Sequence, residues 1–263
     1  MSTWWQVRVS GGEETYAAQA AQAAFSVTDR MERLMSRFRD DSEISAIAGL
    51  PLGGRRRIPK EVFDCLSMAK EMENLTGGSF DIRAAAGISR GDLPQWSLEA
   101  TTLEIMADSG RCRLDLGAIA KGFTLDRMAE ELADWDIRSY LLMSSGSSIL
   151  AGDPPGDEEG WRVCLGEGDG VREVLLAGRA LGTSGTEMRG GHIIDSVTGI
   201  PSCRHRRSWA FSPSAAEADA LSTAWMNMDW RQITECCAKR PDIGAVIHEH
   251  GGEMRFAGSA SGS

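Results

Sequence analysis

A chain of 263 residues with 42% hydrophobic and 25% charged residues has the composition of a folded, water-soluble domain, not of a disordered or fibrous protein. Its formal net charge of −10 argues against general nucleic-acid binding and against attraction to an anionic membrane, and no apolar run approaches the roughly 20 residues that span a bilayer. The six cysteines stand without a Cys-x-x-Cys pair and the first ten residues hold no signal-peptide core, which is the expectation for a reduced, cytoplasmic protein without structural zinc.

In chain order, weak alternation predicts a strand over 4–9, and Phe25, Met31, Leu34, Met35 and Phe38 recur at helical spacing in a helix over 14–38. Ser42 is placed to cap a short helix. A helix over 59–75, with Val62, Leu66, Ala69 and Met72 on one face, stops at Thr76-Gly77-Gly78. Residues 84–100 read as irregular, and strands are predicted at 103–106 and 111–114. A helix over 121–132 follows, then strands over 139–150, 161–165 and 171–181, with a turn at Gly152-Asp153-Pro154-Pro155-Gly156. Helices over 215–226 and 230–239 precede a last strand at 244–248, and residues 257–263 read as a disordered tail. Helices and short strands interleave without a βαβ rhythm, so the class is α+β.

Two segments carry most of the chemistry. Residues 114–123 place Asp115, Gly117, Lys121 and Gly122 where a strand gives way to a helix, a setting in which small residues admit a phosphate and a helix N-terminus favours its charge. Asp219 and Thr223 stand four apart, so one helical face presents both oxygens to a single ion. Neither segment is a Walker loop or a dinucleotide fingerprint. Each residue alone also fits a plainer role: Asp115 as a cap, Lys121 as a solvated charge, Asp219 and Thr223 as a cap and a core hydroxyl. The runs Arg55-Arg56-Arg57 and Arg204-His205-Arg206-Arg207 read as basic surface turns, His248-Glu249-His250 as an exposed turn, and Trp209, Trp225 and Trp230 as core.

Taken together, four motifs occur in one order: Asp-Leu-Gly-Ala-Ile-Ala-Lys-Gly at 115–122, Thr-Ser-Gly at 183–185, His-Ile-Ile-Asp-Ser-Val-Thr-Gly-Ile-Pro at 192–201 and Ala-Asp-Ala-Leu-Ser-Thr at 218–223. In that order they resemble the ApbE-like flavin transferases, the FAD:protein FMN transferase family. Weaker echoes are Met1-Ser2-Thr3, Asp41-Ser42-Glu43-Ile44-Ser45 and Gly77-Gly78-Ser79-Phe80-Asp81. The resemblance implies an α+β fold with mixed or antiparallel sheets and packed helices, as one compact domain over 1–256. It implies transfer of FMN from FAD to a Thr or Ser of an acceptor protein, with AMP leaving. By the same resemblance Mg2+ is held by Asp219, Thr223 and the carbonyl of Ala118. The flavin nucleotide is met by Met1, Thr3, Ser79, Phe80, Asp81, Asp115, Lys121, Ser184, Gly185, His192 and Ile193. His192 and Asp195 are the candidates to take the acceptor's proton or to orient the nucleotide.

This chain departs from the family pattern at several points. Thr186-Glu187-Met188-Arg189 replaces a segment with an aromatic, which puts Glu187 where a ring is expected. The connection to His192 is short, Gly146-Ser147-Ser148 replaces Gly-Gly-Asp/Asn, Ser196 replaces a proline, and Ile82-Arg83 replaces Pro-Thr. Those changes leave room for a relative acting on another phosphorylated or pterin-like cofactor, for hydrolysis of FAD, or for a non-catalytic flavin-binding or assembly protein.

Overall fold

The computed structural model describes residues 3–84, 90–166, 171–185, 194–195, 198–202 and 204–260. Its frame is a seven-stranded antiparallel sheet in the order β1 (Trp5–Val9), β5 (Tyr140–Ser144), β6 (Ser148–Ala151), β9 (Arg179–Gly185), β10 (Arg207–Ser212), β11 (Gly244–His248), β12 (Met254–Gly258). A small sheet orders β2 (Arg55–Arg57), β4 (Glu104–Ala107) and β3 (Trp96–Glu99), and β7 (Trp161–Leu165) pairs with β8 (Arg172–Leu176) as a separate hairpin. The helices are α1 (Glu14–Met35), α2 (Glu43–Ala48), α3 (Lys60–Leu75), α4 (Ala120–Asp134), α5 (Ala215–Trp225) and α6 (Trp230–Lys239).

Period-two alternation builds the layers. Leu142, Leu150 and Ala180 point to a cluster with Leu125, Met128 and Leu132 of α4. Their strand neighbours Leu141, Ile149 and Leu181 point to the opposite face, where Val163, Leu165 and Leu176 of the β7–β8 hairpin cover them. Every residue of β6 and β10 is therefore buried. A third cluster joins Met31 and Met35 of α1 to Leu66 and Met72 of α3 and to Leu221 and Trp225 of α5.

Helix α5 runs through the middle of these layers, and nine of its residues are buried, among them Ala215, Ala216, Ala218, Ala220 and Ala224. Alanines allow backbone to approach backbone, and two glycines complete the fit. A Cβ at Gly122 of α4 would lie 2.0 Å from the carbonyl oxygen of Ala215, and one at Gly182 of β9 would lie 2.2 Å from that of Ala218. The helix start is capped by Ser214 and by Asp126 of α4, whose carboxylate accepts from the N–H groups of Ala215 (2.8 Å) and Ala216 (3.0 Å). Helix α6 starts with a reciprocal cap: Asp229 accepts from Gln232 N–H, and Gln232 accepts from Asp229 N–H. Asp229→Ala is expected to cost about 1 kcal/mol, seen as a thermal midpoint lower by about 2–4 °C.

Several expectations are corrected. Residues 111–114 form no strand: Cys112 and Leu114 are buried and Asp115 N–H bonds Ile82 O, but among the described residues 111–114 have no ladder partner. The span read as irregular contains β3, which pairs with β4. Arg55–Arg57 is strand β2, not a turn, and Arg56 pairs with Glu43 at 2.8 Å. In the second basic run His205 and Arg207 are buried, and Arg207 begins β10. The single strands read over 139–150 and 171–181 each fold back, at Ser145-Gly146 and at Gly178, all three with positive φ. Helix α1 stops at Met35 and leaves Phe38 exposed. The segment read as a tail from Ala257 continues β12, with Ala257 and Ala260 buried; residues 261–263 lie outside the described residues. Among the described residues Cys65, Cys112, Cys164, Cys236 and Cys237 are free thiols, and no helix is long and apolar enough to cross a membrane.

Candidate active site

The close seating of α5 brings the two chemical segments together. Asp219 sits inward on the helix, 4% exposed, with Oδ2 accepting from the N–H of Gly122 at 2.8 Å and Oδ1 from the hydroxyl of Ser148 at 2.5 Å. Lys121 Nζ lies 3.5 Å from Oδ2. Burial pushes the Asp219 carboxyl above the usual carboxylate range, opposed by the Lys121 charge and by the bonds from Ser148 and Gly122. One turn along the same helix, Thr223 Oγ1 is 3.3 Å from the hydroxyl of Ser184 on β9, which is also 3.0 Å from Ser222 Oγ. Thus α5, the start of α4, the end of β9 and the start of β6 converge on one group of oxygens.

Asp115 opens the turn before α4. Its Oδ1 accepts from the N–H of Gly117 at 2.9 Å, and Arg37 Nε stands 3.4 Å from Oδ2. Lys121 Nζ also donates to Gly117 O at 3.4 Å, so one ammonium links this turn to Asp219. Ala118 lies in the same turn, half-buried, four residues before the Gly122 N–H that reaches Asp219.

The turn after α3 holds Ser79, Phe80 and Asp81, all buried. Phe80 belongs to the core, and the side chain of Asp81 is 0% exposed with both oxygens on Arg83, at 2.8 and 2.6 Å. The side chains of Phe80 and Asp81 are thus taken up by the core and by Arg83. Asp195 closes a small loop: its N–H donates to Ile200 O at 2.8 Å, its carbonyl accepts from Gly199 N–H at 2.7 Å, and Ile194 bridges Pro201. Gly185 ends β9 opposite Arg207, whose Cγ and Nε would lie 3.4 Å from a Cβ there. Met1, His192 and Ile193, and with them Glu187, lie outside the described residues.

Sequence reasoning missed three residues that shape the site. Ser148, noticed only as a departure from an acidic or amide position, is the hydroxyl that holds Asp219. Asn227 bonds Ser79 O at 3.0 Å and Ile194 O at 3.3 Å. His205 lies between Met228 O (2.9 Å from Nε2) and Glu249 Oε2 (2.7 Å from Nδ1). Only Ser148 carried a signal, through the motif it altered.

The donor set suits Mg2+. Among the described residues no cluster of three or more His, Cys, Asp or Glu side chains forms a metal cage, whereas Mg2+ is commonly held by one or two carboxylates with waters and substrate phosphates. Asp219 and Thr223 supply hard oxygens of that kind. Buried polar atoms without a partner also adjoin the site: Thr3 Oγ1, Ser144 Oγ and Asn227 Oδ1. Ser144 faces Ser148 across the β5–β6 turn. Such atoms fit a polar ligand better than an apolar one.

The ApbE family model matches residues 1–247. The chain belongs to the ApbE family. A FAD:protein FMN transferase of Treponema pallidum (strain Nichols) is 25% identical over 297 residues, covering 94% of this chain and 82% of that protein. One from Klebsiella pneumoniae (strain 342) is 23% identical over 266 residues, covering 86% and 76%. In structure, the flavin transferase ApbE from Vibrio cholerae superposes with a TM-score of 0.83 at 19% identity, over 100% of this chain and 96% of that one. The ApbE protein from Thermotoga maritima gives 0.83 at 21%, over 97% of each chain. The α+β, antiparallel architecture is that of these ApbE structures.

Proposed function

We propose that this ApbE-family protein transfers FMN from FAD to a Thr or Ser hydroxyl of an acceptor protein, with Mg2+ bound by Asp219, Thr223 and the Ala118 carbonyl. The observation that carries the reading is the convergence of Asp219, Thr223, Lys121 and Ser184 at the α4–α5–β9 junction. Support comes also from the curated relatives, which are named FAD:protein FMN transferases. In the reaction a bond forms between the acceptor oxygen and the FMN phosphorus, the pyrophosphate P–O bond breaks, and AMP leaves. Bound Mg2+ supplies positive charge to the pyrophosphate oxygens as that bond breaks. Lys121 adds an ammonium on the same side, Asp115 orders the turn that approaches the nucleotide, and His192 or Asp195 takes the acceptor's proton.

Asp219→Asn keeps a side chain of the same shape and removes the charge. Transfer of FMN from FAD to an acceptor protein, read by mass spectrometry with Mg2+ present, is expected to fall at least about a hundredfold. Unchanged transfer with unchanged Mg2+ dependence would overturn the assignment. A second reading, hydrolysis of FAD to FMN and AMP, is favoured by Glu187 and the short connection to His192 in place of the family's aromatic segment. Release of free FMN without acceptor labelling would favour it.

A further inference from the structure

We infer that Asn227 is a positioning residue for the flavin nucleotide: its amide NH2 ties Ser79 O to Ile194 O and so fixes the gap between the two segments that flank the ligand. The inference rests on the functional reading above, because it takes the Ser79 turn and the Asp195 loop as ligand-bearing. Asn227 follows α5 at the junction with α6, 8% exposed, between the buried Met226 and Met228. Its Nδ2 donates to Ser79 O at 3.0 Å and to Ile194 O at 3.3 Å. Those carbonyls come from distant parts of the chain, and two carbonyl oxygens brought together repel unless a donor stands between them. At this reach only an amide offers two N–H groups from one nitrogen; serine offers one donor and aspartate none.

The amide is only half satisfied. Its Oδ1 is buried without a partner, an unfavourable arrangement for a polar group in an apolar junction. The neighbouring residues reinforce the same connection from either side. Ser202 Oγ donates to Met226 O at 2.7 Å, and His205 Nε2 lies 2.9 Å from Met228 O. Three consecutive residues of the α5–α6 junction thus hold the segment that begins at Ile194. The helix bearing Asp219 and Thr223 and the loop bearing Asp195 are joined through that junction, and Asn227 extends the connection by a hydrogen bond to the Ser79 turn.

The test compares the wild type with Asn227→Leu and Asn227→Gln. Two readouts are used: FAD affinity from fluorescence titration with Mg2+, and amide hydrogen exchange of the free protein. Asn227→Leu is expected to weaken FAD binding by about tenfold and to speed exchange at Phe80, Asp195 and Gly199, with α5 still protected. Asn227→Gln, which keeps the NH2, is expected to recover part of both. Unchanged exchange at those amides overturns the tie whether or not FAD binds. Faster exchange with unchanged FAD affinity overturns the positioning role. A wild type that binds no FAD overturns the functional reading instead, and the exchange comparison then judges the tie by itself.

Discussion

Gly122→Ala is expected to disrupt the fold far more than a single methyl suggests. The added Cβ would lie 2.0 Å from Ala215 O, and 2.3 and 2.6 Å from two further backbone atoms, so no side-chain rotation relieves the clash. Overpacking of a core ordinarily costs about 1–3 kcal/mol; with only backbone to yield, the loss should reach or exceed the top of that range. Gly182→Ala, with its Cβ 2.2 Å from Ala218 O, should behave alike from the other side of α5. Gly91→Ala, where a Cβ would meet nothing within 4 Å, is the control. Chemical denaturation of the three variants checks this. A loss below about 1 kcal/mol in both clashing variants would mean that α5 slides freely, contrary to the packing described. Because Gly122 N–H also bonds Asp219, a surviving Gly122→Ala protein should lose Mg2+-dependent FAD binding before it loses its helices.

Arg83→Met is expected to destabilise the protein by about 3–5 kcal/mol. The guanidinium is almost wholly buried and donates to both oxygens of Asp81, to Glu73 at 2.7 Å, to Pro94 O and to Gln95 Oε1. Removing it leaves two carboxylates facing each other out of water, with Lys70 at 3.6 Å from Glu73 as partial relief. The triple variant Arg83→Met, Asp81→Asn, Glu73→Gln should recover most of the loss, since the damage comes from uncompensated charge and not from missing attraction. Equilibrium unfolding of the single and triple variants decides it. Equal destabilisation in both would assign the effect to packing instead.

What was legible in the sequence follows from how far each signal depends on partners. The stripe of α1, the cap at Ser42 and the helix that carries Asp219 and Thr223 are local features, and they form where predicted because a helix carries its own hydrogen bonds. Strand β2 has three arginines and no apolar residue; it exists because β4 lies beside it, which nothing in residues 55–57 announces. Residues 111–114 show the reverse: Cys112 and Leu114 alternate and are buried, yet no strand forms because no ladder partner stands beside them among the described residues. The resemblance implies that Asp81 meets the nucleotide, and the folded chain gives both of its oxygens to Arg83. The Arg83 two residues later, recorded as a departure, is what turns it inward. Asn227 carried no signal, since its two partners meet only in the folded chain.

The edge of the large sheet sets an order of events during synthesis. Strand β1 is made well before β5, its one sheet neighbour among the described residues, with Trp5 opposite Ser144 and Val9 opposite Tyr140. At about 5–20 residues per second, a ribosome leaves β1 without its partner strand for roughly ten seconds. During that wait Trp4 and Trp5 belong to an unpaired ribbon beside a growing helical segment, the kind of edge that other chains can capture. Closure of the sheet across so long a stretch also slows folding relative to a helical bundle of equal size. Helix α5 emerges later still, so the oxygens around Asp219 cannot assemble until α5 has left the tunnel. A nucleotide that binds those oxygens then acts on the completed fold alone, and holds it against reopening by mass action.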